Sequence, residues 1–159
     1  MSSPSAWSRA SGGSGPPATA PRVVSEVLTL SRALADEMIA HARSELPNEA
    51  CGIFGGTLDG ELRTFFPAKN ADASPYRYTV DADDLLRIAL AIDRADDDVA
   101  AIYHSHTMSR ATPSRTDMEL ATWPEAAYII VSLASDPPDI RAWRLAEDKP
   151  PEALPLEIA

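Results

Sequence analysis

The spacing of apolar side chains switches between two periods along this chain, and each switch marks an element. Residues 23–30 (VVSEVLTL) are rich in β-branched side chains and predict a strand. After Ser31, a good N-cap, Leu34, Met38, Ile39 and Ala42 recur at helical spacing, and the pattern stops near Pro47. Residues 50–57 (ACGIFGGT) read as a Gly-rich strand, and a turn at Asp59-Gly60 with a second strand over 61–66 completes a hairpin. Residues 76–80 predict another short strand. Asp81 caps a helix that sets Leu85, Leu86, Ile88, Ala89 and Ile92 on one side. Residues 99–106 predict a strand that is apolar first and polar at its end. A short helix begins at Ser114 or Thr116 and runs to Ala121. Strands over 127–133 and 140–145 follow, joined through the turn Asp136-Pro137-Pro138.

The two ends differ from this pattern. Residues 1–22 are Ser, Gly, Pro and Ala with almost nothing to bury, so a disordered N-terminal tail is expected, with Trp7 as a stray aromatic. Residues 147–159 are rich in Pro and Glu and predict a loosely packed C-terminal tail. The folded domain is thus expected over 23–146. Its strands and helices mix without the regular βαβ rhythm of a doubly wound sheet, which points to an α/β (α+β) fold: a mixed sheet flanked by helices. Gly52, Gly55 and Gly56 lack the Lys-Ser/Thr of a phosphate loop, and no G-x-G-x-x-G spacing occurs.

Charge narrows the function classes. Fourteen Lys and Arg against 24 Asp and Glu give the 159-residue chain a formal charge of −10 and a pI near 4.6. Such a surface repels phosphate backbones and anionic lipid, which argues against nucleic-acid and membrane partners. The longest apolar run, residues 126–134, is too short to span a bilayer, and the N-terminus lacks the apolar core of a signal peptide. A single cysteine, Cys51, suits a reducing cytoplasm.

The candidate chemistry lies in residues 104–117, HSHTMSRATPSRTD. His104 and His106, at i and i+2 on a strand, point to one face and can reach one ion without distorting the backbone. Asp117, on the first turn of the next helix, supplies a third donor across a short loop. Three N/O ligands with a fourth position left to water is the ligand set of a catalytic zinc site, although such donors also hold iron, cobalt or manganese. Taken alone, His-x-His is more often a surface or core pattern than a metal site, and Ser114-x-x-Asp117 is also a helix-capping pattern. Finding all of these in register by chance has odds of about one in a thousand. His41, the third histidine, reads as a solvent-side helix residue, and Cys51 as a small buried side chain rather than a nucleophile or fourth ligand. Ser105 faces away from the two ligands and reads as structural. A zinc of this kind acidifies its water and still needs a carboxylate to carry the proton, and local sequence does not single one out among 24 acids.

His-x-His, seven residues, Ser, two residues, Asp resembles the signature of the JAMM/MPN+ zinc metalloproteases. The resemblance runs over residues 23 to about 146 and implies a cytidine-deaminase-like mixed sheet. It also implies that Glu49, in Pro47-Asn48-Glu49-Ala50-Cys51-Gly52, is the general acid/base, with Ser114 stabilising the oxyanion. The stretches LPNEACG, YHSHT and PSRTD, with the loop Asn70…Ser74-Pro75, look most like the compact bacterial Mec-type branch. For that branch the implied substrate is a small ubiquitin-like sulfur-carrier protein with a Gly-Gly tail, joined to cysteine, and hydrolysis releases L-cysteine. A broader isopeptidase acting on ubiquitin-like conjugates and a non-catalytic binding module are the competing expectations.

Overall fold

A computed structural model describes residues 27–159, so the predicted tail, Trp7 and the start of the first predicted strand lie outside the described residues. In chain order the elements are β1 (Leu28–Leu30), α1 (Arg32–Ser44), β2 (Cys51–Gly56), β3 (Leu62–Ala68), α2 (Ala82–Arg94) and β4 (Asp98–His106). They continue with α3 (Arg115–Leu120), β5 (Ala127–Ser132), β6 (Asp139–Arg144), β7 (Glu152–Leu154) and β8 (Leu156–Ile158). The caps form as the sequence predicts: Ser31 Oγ accepts from the Leu34 N–H at 3.1 Å, and Asp81 from that of Asp84 at 3.1 Å. The Asp59-Gly60 turn uses a left-handed glycine, with Gly60 at φ 110.

Six strands form one mixed sheet in the order β3-β2-β4-β5-β6-β7. Only β4 and β5 run parallel within it. Their connection crosses through α3 and begins at the carboxyl end of β4, the kind of place where open sheets bind ligands. Both faces are covered, which is why β5 (AYIIVS) is buried throughout. One face packs Phe54, Ala101, Tyr103, Ile129 and Val131 with Ala35, Met38 and Ala42 of α1. The other packs Cys51, Ile53, Ile102 and Tyr128 with Ile88 and Ile92 of α2. Burial of the two α2 isoleucines is worth about 1.5–3 kcal/mol each. The mixed sheet with flanking helices is the expected architecture.

Four local expectations change. Residues 76–80 form no strand; Val80 makes only an isolated bridge to Asn70. Leu86 is 52% exposed, on the outer side of α2. The C-terminal residues expected to be loose are paired: β7 extends the sheet beside β6, and β8 lies parallel to β1. A separate tail over 147–159 is therefore not what forms, because the preceding strand β6 and the distant strand β1 supply the hydrogen bonds that its local composition does not suggest. His41 is half-buried rather than solvent-side, with Nδ1 3.1 Å from the Tyr103 hydroxyl and edge contacts to the Phe65 and Tyr103 rings. Burial lowers its pKa, against the opposing pull of Glu45.

Candidate metal centre

The site is built on β4. Alternation along this strand sends Tyr103 and Ser105 to the α1 face and Ile102, His104 and His106 to the α2 face. His104 and His106 stand at its polar end with Nε2 atoms 3.2 Å apart. The chain leaves through the loop 107–114 and returns at α3, where Asp117 brings Oδ2 to 3.1 Å from His104 Nε2 and 2.9 Å from His106 Nε2. All three residues are buried. Ser114 and Asp117 form a full capping box: Ser114 Oγ accepts from the Asp117 N–H at 3.0 Å, and Asp117 Oδ2 accepts from the Ser114 N–H at 2.9 Å. The capping reading and the ligand reading of this motif are thus compatible, since the cap aims the carboxylate.

With both imidazoles in the neutral form that binds a metal, hydrogen bonds alone do not satisfy this cluster. The Arg110 carbonyl only accepts, so the contact at 2.6 Å makes His106 Nδ1 the donor. A neutral His106 then presents an Nε2 lone pair to the Asp117 carboxylate, acceptor against acceptor. A divalent cation among the three atoms removes that conflict, and tetrahedral zinc ligands at ordinary bond lengths lie about 3.3 Å apart, close to the spacings found. The donor set fits a metal. Burial lowers the His104 pKa, which favours the neutral, ligating form. Burial works against charge on His106 and Asp117 too. There, hydrogen bonding to Asp117 outweighs it and raises His106, while the two imidazoles and the Ser114 N–H hold Asp117 well below the usual carboxylate range.

Glu49 arrives from β2. That strand runs antiparallel to β4 with Cys51 opposite His104. The pairing continues outward: the Ala50 N–H donates to Ser105 Oγ at 2.8 Å and the Ser105 N–H to the Ala50 carbonyl at 3.0 Å. The next residue outward is Glu49, within electrostatic reach of His106 and Asp117. It is buried, and its Oε1 has no hydrogen-bond partner among the described residues. Burial pushes its pKa up to about 8, with His106 pulling it down and Asp117 adding to the rise. A cation at the centre favours the carboxylate form. Cys51 is buried against the Ala68 and Lys69 carbonyls, and burial pushes its thiol up to about 12, so it is poorly suited as a ligand or nucleophile.

Three supporting residues receive no role from the sequence, although Asn70 and Ser74 lie in the loop that carries part of the resemblance. Tyr78 stacks on His104, centroids 4.5 Å apart and planes 20° from parallel. Asn70, buried, donates from Nδ2 to the Glu49 carbonyl and to the Arg77 carbonyl, both at 3.0 Å, while its Oδ1 accepts from the Asp72 and Thr79 N–H groups. The Glu49 N–H donates to the Ser74 carbonyl at 2.8 Å, so the 70–79 loop holds the Glu49 peptide on both sides. The Asn-x-Asp pattern of an Asx turn is the one local signal for Asn70. Ser105, read as structural, anchors the residue next to Glu49. Ser105→Ala strands the buried Ala50 N–H and is expected to lower unfolding free energy by about 1–3 kcal/mol, measured by urea denaturation.

Comparison with known proteins follows the same lines. Residues 31–146 match the family model described as prokaryotic homologs of the JAB domain. The chain is 41% identical over 124 residues to the CysO-cysteine peptidase of Mycobacterium tuberculosis, covering 76% of this chain and 84% of that one. It is 36% identical over 116 residues to a desampylase of Haloferax volcanii, covering 69% and 84%. Among solved structures, protein DSY2949 from Desulfitobacterium hafniense superposes with a TM-score of 0.76 at 32% identity, over 83% of this chain and 92% of that one.

Proposed function

From the premise that this chain belongs to the prokaryotic homologs of the JAB domain, and is a hydrolase of the JAMM/MPN family, we propose that it releases cysteine from a protein carrier. The substrate on this reading is a small ubiquitin-like sulfur-carrier protein whose C-terminal Gly is joined through an amide to L-cysteine. The observation that carries the proposal is the convergence of His104 Nε2, His106 Nε2 and Asp117 Oδ2 beside a buried Glu49 with an unpartnered Oε1. The relative whose name specifies a cysteine adduct, at 41% identity, supports the choice of substrate.

His104, His106 and Asp117 would hold zinc, which supplies Lewis acidity when bound: it polarises the scissile carbonyl and makes water a stronger acid. Glu49 takes a proton from the attacking water at its unpartnered Oε1 and gives it to the departing amine nitrogen. The C–O bond forms first, placing negative charge on the carbonyl oxygen; the C–N bond then breaks as the nitrogen is protonated, and the carrier leaves as a carboxylate and cysteine as an amine. Ser114 uses its oxygen as a cap acceptor, so its own proton is available to the developing oxyanion. The Ser74 and Asn70 contacts fix the Glu49 backbone, and the Arg110 carbonyl fixes the His106 ring. No helix among the described residues is long and apolar enough to cross a membrane. This reading places the protein in the cytoplasm, where its single cysteine stays reduced.

Mass spectrometry of a carrier ending Gly-Gly-Cys tests the proposal. Loss of the cysteine residue mass is expected on incubation with the zinc-loaded protein, and an unchanged mass rules the substrate out. The desampylase relative favours a second reading, cleavage of lysine-linked conjugates of a ubiquitin-like protein. Faster turnover of a lysine-linked than of a Cys-terminated adduct would establish it.

A further inference from the structure

Resting on the reading that the departing group is cysteine, we propose that Arg110 binds the α-carboxylate of that cysteine and selects a free C-terminus over a lysine-linked conjugate. A terminal cysteine carries its carboxylate on the very carbon that bears the scissile nitrogen, so a negative charge must sit close to the reacting amide. The surroundings are unfavourable to it: the chain carries −10 overall, and Glu49 and Asp117 are the acidic groups at the centre. Zinc would offset the two carboxylates at the centre, and a further cation for the substrate's own carboxylate is carried by the loop 107–114, on a residue one hydrogen bond from His106.

The Arg110 carbonyl accepts from His106 Nδ1 at 2.6 Å, which fixes this residue beside the cluster, while its side chain is exposed. The arginines of the two segments that carry Tyr78 and Asp117 are engaged. Arg115 pairs with Glu119 at 3.4 Å, and Arg77 with Asp72 at 3.2 Å. The Arg110 guanidinium has no ion-pair partner among the described residues. A guanidinium on a long stem matches a carboxylate with two parallel hydrogen bonds, and anchoring the backbone lowers the entropy lost in forming them. A lysine-linked amide nitrogen is attached to a methylene of the lysine side chain and offers no such group, so the same arginine distinguishes the two substrate classes.

The test compares carriers ending Gly-Gly-Cys as the free acid and as the C-terminal amide, using the zinc-loaded full chain with Arg110 native, Arg110→Gln or Arg110→Lys. The native protein is expected to cleave the acid with a kcat/KM about tenfold to a hundredfold above that for the amide. In Arg110→Gln that ratio should collapse toward one, and Arg110→Lys should restore part of it. Calorimetry in a Glu49→Gln background, which separates binding from turnover, should show the same preference in Kd. A structural role for Arg110 would lower both rates and leave the ratio intact. That result, or a native ratio near one, overturns the proposal. Cleavage of neither adduct, with lysine-linked conjugates still turned over, overturns the cysteine reading and this inference together.

Discussion

Glu49→Gln is expected to lower turnover by about 10²–10⁴-fold, the usual contribution of a positioned proton carrier, while leaving metal content close to native. The substitution keeps size and shape. It also keeps the backbone contacts that hold residue 49, because the Ser74 carbonyl, the Asn70 amide and the Ser105 hydroxyl all bind main-chain groups of residues 49 and 50. A buried group that prefers to be neutral is replaced by one that is always neutral, so the fold has no added charge to bury. What is lost is the basic oxygen at Oε1, which no other described residue engages. Turnover should fall in kcat and kcat/KM alike, since the proton transfer belongs to the transition state. Native turnover in this variant would remove Glu49 from the role of proton carrier; a binding module would show no turnover in either protein.

His106→Ala should abolish both the metal and the reaction. It removes one of three donors, and with it the hydrogen bond from Nδ1 that ties the Arg110 carbonyl to the cluster. Two remaining ligands make a much weaker site, and changes even beyond the ligands commonly cost 10–100-fold in affinity or activity. Zinc retained after dialysis is expected to fall from about one per chain to trace amounts, measured by mass spectrometry of the metal. Unlike Glu49→Gln, which separates metal from turnover, this variant should lose them together.

How much of this was legible in the sequence depends on how far apart the interacting residues are. His104, His106 and Asp117 occupy one strand end, one loop and one helix start, so a single local pattern predicts that they meet. Glu49 is different. It reaches His106 through the β2–β4 register, a long-range pairing that no local rule specifies, and only the family resemblance pointed to it. The helices were readable because Ile88 and Ile92, or Met38 and Ala42, keep helical spacing, while Leu86 shows that an apolar residue on a helix need not join the core. Strands 152–158 were not readable, since three-residue strands exist only because β6 and β1 offer them open edges. His41 was misread for the same reason: its partners Phe65 and Tyr103 come from strands distant in sequence. The expected strand over 76–80 has the right residue types, but Asn70 organises that segment as a loop by taking the Thr79 N–H for itself.

The most direct test of the central claim is a zinc titration of native protein stripped with a chelator, following cysteine release from the carrier adduct. Activity should start near zero, rise linearly and level off at about one equivalent per chain, as three converging ligands require. Full activity in the stripped protein, or a rise unrelated to zinc stoichiometry, would contradict a reaction that depends on a cation held by His104, His106 and Asp117.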